Sequence, residues 1–131
     1  MTIKVLVIDD SNTIRRTAEV LLNKAGYEVI TAADGFEAMS VVSDQRPDII
    51  FVDIMMPRLD GYQTCKLIKH NRFFKNTPVI MLSSKDGLFD RARGRLAGSE
   101  QYINKPFRQQ DLIAAIETHV SSKRMSMEAE I

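Results

Sequence analysis

Carboxylates, hydroxyls and one lysine in this chain recur at a single kind of place, the residue that closes or follows a short apolar run. Asp9 and Asp10 follow Val5-Leu6-Val7-Ile8, and Asp53 closes the run Ile49 to Val52. Ser83 and Ser84 follow Val79 to Leu82, and Lys105 stands just beyond Gln101 to Ile103. Three carboxylates drawn to one place repel at low dielectric, which favours either a raised pKa or a bound cation. A hard divalent ion resolves the conflict: Mg²⁺ takes oxygen ligands octahedrally, and Asp10, Asp53 and a nearby backbone carbonyl would supply them. A carboxylate can also attack a phosphoryl group, in chemistry that rests on in-line positioning and neutralisation of the equatorial oxygens. Asp53 is the best placed for that attack. The Ser83 hydroxyl and the Lys105 ammonium would then bind the oxygens that the cation does not reach. Lys105 precedes Pro106; most Xaa-Pro bonds are trans, and a cis one here would bend the loop and aim the lysine inward.

The elements that must position these groups are legible as five apolar runs: Val5 to Ile8, Glu28 to Thr31, Ile49 to Val52, Val79 to Leu82 and the weaker Gln101 to Ile103. Runs apolar on consecutive residues, without alternation, point to strands buried on both faces, hence a parallel sheet covered by helices. The first helix puts Ile14, Ala18, Leu21, Leu22 and Ala25 on one face, with Asp10 or Ser11 to cap it and Gly26 to end it. Asp34-Gly35 opens a second helix to about Asp44, a third spans about Gly61 to His70, and a fourth about Gly87 to Leu96. The fifth begins near Arg108, with Leu112, Ile116 and Val120 on one ridge. A repeated βα unit implies right-handed crossovers and a doubly wound sheet, for which strand order 2-1-3-4-5 is one of two common solutions. Ligands in such sheets bind beyond the carboxyl ends of the strands, and every group named above lands there. Taken singly, Asp9-Asp10 is a helix cap beside a solvated charge, Asp53 ahead of Pro57 is a turn residue, and Lys-Pro carries no information. Their convergence on one edge of one sheet is what makes them a site.

The chain has 131 residues, 44% of them hydrophobic and 27% charged, which suits one α/β domain able to bury a core without disulfide or structural metal. The reading is a domain over 1–120 and a polar, flexible tail over 121–131. The single Cys65 falls in a stretch of helical period and reads as packing, not as a reactive thiol. Met1 to Val7 lacks the features of a signal peptide and no apolar stretch reaches membrane-spanning length, so the expectation is a cytoplasmic protein without membrane insertion. A formal net charge of +1 gives no reason to expect nucleic acid as a partner. In the fourth helix Arg91 and Arg95 share a face, Arg93 stands between them, and Leu88, Ala92 and Leu96 form an apolar ridge. Lys66, Lys69, Arg72 and Lys75 read as ordinary surface charge, and His70 and His119 as exposed and non-catalytic. Met55 and Met56 read as core or loop filler.

Four motifs, VLVIDDS (5–11), IIFVDIMMPRLDG (49–61), PVIMLSSKDG (78–87) and INKPF (103–107), make the chain resemble the receiver domains of two-component response regulators. The resemblance covers about residues 3 to 120 and implies a flavodoxin-like (βα)5 fold with strand order 2-1-3-4-5. It implies Asp53 as the phosphoacceptor, Asp10 and Asp53 as direct Mg²⁺ ligands, Asp9 acting through water, and the Met55 carbonyl completing the protein's share. Ser83 and Lys105 become the pair that senses the phosphoryl group, and Tyr102 the aromatic that turns inward when Ser83 moves. Two departures are mild: Ser83 stands where many members have threonine, and Ser84 where a small Ala or Gly is usual. The stretches 11–26, 53–69 and 81–99 further resemble stand-alone receivers of chemotaxis-like systems that control type IV pili and twitching motility.

The implied role is a signalling phosphoacceptor, not an enzyme beyond self-catalysed phosphoryl transfer and dephosphorylation. The implied partners are a sensor histidine kinase or its phosphotransfer domain and a downstream motility protein, with the chain a monomer or weak dimer. No output module follows residue 120, so the signal is expected to leave through the receiver surface, with Ser83, Tyr102 and the fourth helix as the moving parts. Alternatives are a chemotaxis-type regulator of another motility output and a receiver-like module that binds without phosphorylation. An aspartyl phosphohydrolase would carry Asp-x-Asp after the first strand, and a flavin carrier a Ser/Thr-rich loop there; neither is present.

Overall fold

A computed structural model describes residues 2–84 and 87–129, with 121–129 as backbone only. The elements are β1 (Lys4–Ile8), α1 (Asn12–Lys24), β2 (Glu28–Ala32), α2 (Gly35–Gln45), β3 (Ile49–Asp53), α3 (Gly61–His70), β4 (Val79–Ser83), α4 (Leu88–Ala97), β5 (Gln101–Asn104) and α5 (Gln109–Ala129). The five strands form one parallel sheet in the order β2-β1-β3-β4-β5, as the resemblance implies.

The alternation of side chains along each strand divides the core in two. Leu6, Ile8, Ile50, Val52, Val79 and Met81 meet Ala38, Val42, Cys65, Ile68 and Ala97, which places α2, α3 and α4 on one face. Val5, Val7, Ile49, Phe51, Ile80 and Leu82 meet Ala18, Leu22, Leu112, Ala115, Ile116 and Val120, which places α1 and α5 on the other. β3 and β4 are buried along their whole length, and this is why their runs are apolar at consecutive positions.

Helix starts follow side-chain chemistry. Ser11 accepts from the Ile14 N–H, Asp34 from that of Glu37, and Asp60 and Gln63 close a reciprocal capping box on α3. Gly26 follows α1 with a φ of +93°, where a side chain would be strained. The α5 backbone runs on to Ala129, past the Val120 ridge at which the sequence expects it to fade. Lys123, Arg124, Met125 and Met127 to Ala129 are good helix formers, so propensity sustains those turns without an apolar ridge. The flexible polar tail expected over 121–131 falls on residues whose side chains, and at 130 and 131 also the backbone, lie outside the described residues.

α4 departs from the sequence expectation. Leu88 and Leu96, read as its apolar ridge, are 82% and 85% exposed, while Gly94 and Ala97 are its buried residues. A Cβ on Gly94 would lie 3.1 Å from Met81 Sδ, so the helix rests on β4 through its smallest side chains, and the larger apolar ones point outward.

Candidate functional site

The carboxyl ends of β1, β3, β4 and β5 bring together Asp9, Asp10, Asp53, Ser83 and Lys105. Strand pairing sets Asp53 beside Leu82 and Ser83 beside Asn104, and the Lys105 N–H donates to the Ser83 carbonyl at 2.8 Å. The Lys105-Pro106 bond is cis, and Lys105 Nζ lies 2.8 Å from Asp53 Oδ1 and 2.9 Å from Asp9 Oδ2. One ammonium thus bridges two buried carboxylates supplied by different strands.

Asp9 is buried and Asp10 exposed. The other oxygen of Asp9 accepts from the Ser11 N–H at 2.9 Å, and Arg15 Nη1 donates to the Asp9 carbonyl at 2.5 Å, so the first turn of α1 fixes this residue. Carboxylate oxygens of Asp9, Asp10 and Asp53 lie within 4.8 Å of one another. An all-oxygen, anionic donor set of this kind fits a hard cation such as Mg²⁺ and offers nothing to a soft one.

Burial pushes the Asp53 carboxyl above its ordinary range, and the negative charges of Asp9 and Asp10 push the same way against the Lys105 hydrogen bond. Burial acts to lower Lys105, but its hydrogen bonds to Asp53 and Asp9 outweigh that and hold the ammonium above its ordinary value. The site is therefore a carboxylate cluster carrying more negative charge than its single lysine neutralises.

Ser83 is wholly buried at the end of β4, and the exposed Ser84 follows it. Lys85 and Asp86, the next residues of that motif, lie outside the described residues. Tyr102 is partly buried, packs against the α2–α4 side of the core, and has the Arg91 guanidinium 5.1 Å from its ring centre. Met55 is 57% exposed on the β3–α3 loop, and Met56 is buried beside it. His119 bonds Gln101 Oε1 at 2.7 Å and His70 is exposed; neither reaches the carboxylate cluster. Cys65 is buried, donates to the Ala97 carbonyl at 3.4 Å, and is pushed by burial up to about 12, as befits a packing residue.

Two residues that shape the site carry no chemical signal in the sequence. Gly61 lies so close to the end of β3 that a Cβ there would sit 2.5 Å from the Asp53 carbonyl oxygen and 2.7 Å from Ile54 Cα. Tyr62 follows it, buried, donates its hydroxyl to the Asp90 carbonyl at 3.2 Å, and carries Arg93 4.3 Å above its ring. The first turn of α3, which Gly61 seats against the end of β3, is thereby tied directly to α4. Only the Asp60-Gly61 pair hinted at this, as a turn signal.

The response regulator receiver domain family matches residues 5–117. Protein PilG of Pseudomonas aeruginosa is 68% identical over 120 residues, which cover 92% of this chain and 89% of that protein. The alkaline phosphatase synthesis transcriptional regulatory protein PhoP of Bacillus subtilis is 37% identical over 116 residues, and there the chain spans 48% of the relative's length. Among solved structures, the chemotaxis protein CheY4 of Vibrio cholerae superposes with a TM-score of 0.87 at 34% identity, over 91% of this chain and 99% of that one.

Proposed function

The chain belongs to the response regulator receiver family, and from that premise we propose that Asp53 accepts a phosphoryl group from a histidine kinase or its phosphotransfer domain. The observation that carries this reading is Asp53 itself: a buried carboxylate at the end of a central strand, held at 2.8 Å by Lys105 and ringed by two more carboxylates. Lys105 engages Oδ1, which leaves Oδ2 to attack phosphorus in line with the leaving nitrogen of a phosphohistidine. The P–N bond breaks as the P–O bond forms, and the product is an acyl phosphate that water later cleaves back to the carboxylate. Lys105 would follow the new charge from Asp53 Oδ1 to a phosphoryl oxygen, and the Ser83 hydroxyl would hold another. The Asp10 and Asp53 carboxylates, the Met55 carbonyl and, through water, Asp9 would hold Mg²⁺, which when bound offsets the charge of the phosphoryl oxygens.

The test is direct. With Mg²⁺ and acetyl phosphate, the protein should gain the mass of one phosphoryl group and Asp53→Asn should gain none; an equal gain in Asp53→Asn would place the acceptor elsewhere.

Output follows from the same geometry. Tyr102 packs beside Arg91 of α4, and Arg91 and Arg95 line one cleft of about 170 Å³ with Ser99, Glu100 and Gln101. A shift of Ser83 and Tyr102 on phosphorylation changes that face, and an acidic partner surface reads it. The 68% identity to PilG supports a stand-alone, cytoplasmic regulator of type IV pilus twitching motility. In Pseudomonas aeruginosa lacking PilG, the chain should restore twitching and Asp53→Asn should not; failure of both would assign it another output.

A further inference from the structure

A second surface lies at the opposite end of α3 from Asp53. Between Asp60 and Asp86 the sequence contains no aspartate or glutamate, yet it carries Lys66, Lys69, Arg72, Lys75 and Lys85 in a chain whose overall charge is only +1. The fold sorts these residues. Lys69 is structural, since its ammonium pairs with Glu100 and donates to the Thr77 carbonyl at 2.7 Å. Lys66, Arg72 and Lys75 are exposed and, among the described residues, have no carboxylate partner.

The loop between α3 and β4 is built to display what lies on it. The Phe73 N–H donates to Asn71 Oδ1 at 2.8 Å, those of Phe74 and Lys75 donate to the Asn71 carbonyl, and that of Thr77 donates to the Phe74 carbonyl at 3.0 Å. Phe74 turns into the core, but Phe73 is 67% exposed, its ring 6.5 Å from that of Phe74 and tilted by 57°. Arg72 lies 4.9 Å above the Phe73 ring, and Leu67 is half exposed on the adjoining turn of α3, next to Lys66 and His70. Apolar and cationic side chains are thus interleaved on a hydrogen-bonded platform, a pattern that ordinary solvated charge does not require.

We infer that this platform docks an acidic protein segment carrying an apolar side chain, and that it does so whether or not Asp53 is phosphorylated. The carboxylates of the segment would pair with Arg72, Lys66 and Lys75 while its apolar side chain covers Phe73 and Leu67. A guanidinium placed over a ring has N–H groups left for the two oxygens of a carboxylate, which favours a protein carboxylate over a diffuse lipid charge. Independence of phosphorylation follows from position: α3 is 10 residues long, so about 15 Å of helix separates Arg72, Phe73 and Lys75 from its Asp53 end, with Lys66 and Leu67 about halfway along it. The face that changes on phosphorylation and the face that tethers would then be separate, and one receiver could stay bound to an assembly while it switches.

The experiment is an amide-shift NMR titration of the full chain with a short capped peptide of glutamates flanking a central phenylalanine. Saturable shifts over 66–76 are expected, with affinity equal before and after treatment with Mg²⁺ and acetyl phosphate. Arg72→Gln with Phe73→Ala should weaken binding about tenfold or more, and unchanged thermal unfolding would show that the variant is folded. The inference is overturned if the peptide produces no saturable shift, if shifts centre on Arg91 and Arg95, or if the glutamine version of the peptide binds equally well. Displacement of the peptide by anionic phosphatidylglycerol vesicles, or self-association lost in Phe73→Ala, would likewise overturn it, in favour of a membrane or a second copy.

Discussion

Gly61→Ala sets packing against chemistry at a single atom. The added methyl would lie 2.5 Å from the Asp53 carbonyl oxygen and 2.7 Å from Ile54 Cα, and both are backbone atoms that cannot rotate aside. Overpacking of this kind costs about 1–3 kcal/mol, and the better helix propensity of alanine returns less than about 1 kcal/mol at the first position of α3. A net loss of about 1–2 kcal/mol lowers Tm by about 4–7 °C for a domain of this size. The strain is relieved by moving the end of β3, so Asp53 shifts relative to Lys105 and phosphoryl uptake should fall about tenfold, given that a 1 Å misplacement can cost about a hundredfold. Gly35→Ala is the control. Its Cβ would meet Thr64 Oγ1 at 2.5 Å and Leu59 Cδ2 at 2.6 Å, side-chain atoms and not the backbone of Asp53. It should lower Tm yet leave uptake from acetyl phosphate intact. Thermal unfolding and the rate of mass gain measure both effects, and a Gly61→Ala protein with unaltered Tm and uptake would refute the reasoning.

Asp10 is exposed, so Asp10→Ala should leave the fold unchanged and weaken Mg²⁺ binding about tenfold or more by calorimetric titration; unchanged affinity would contradict its role as a ligand. Tyr62→Phe removes the hydroxyl that binds Asp90 and should cost about 0.5–1.5 kcal/mol in denaturant unfolding, with faster amide exchange in the first turns of α4. Cys65 should resist iodoacetamide at pH 8.5 until the protein is unfolded, because burial holds its folded value at about 12. The sign of its effect on stability follows from that shift. Above the unfolded thiol's value the unfolded chain releases the proton and the folded one keeps it, so stability falls as pH rises from about 9 towards 12. Relative to Cys65→Ala, the wild type should lose about 1.4 kcal/mol by pH 10; parallel pH profiles for the two proteins would show the thiol to be uncoupled from folding.

Much of this molecule is determined by short-range pattern. Consecutive apolar residues in 49–52 and 79–82 can satisfy their burial only between two layers of helices, and Ser11, Asp34 and Asp60 open helices because their side chains accept the N–H groups exposed there. Once the strands are parallel, their ends share an edge, so Asp9, Asp10, Asp53, Ser83 and Lys105 had to meet, and the sequence alone was enough to name them. Tertiary structure decided how they meet. It buried Asp9 under Lys105 and left Asp10 open to solvent, a difference between adjacent residues of identical chemistry that only the path of the chain can create. It also turned α4 over: helical period grouped Leu88, Ala92 and Leu96, but the close approach of Gly94 to Met81 put Leu88 and Leu96 outside. Period reports which residues share a face, and which face meets the sheet is settled by the fit of one surface against another.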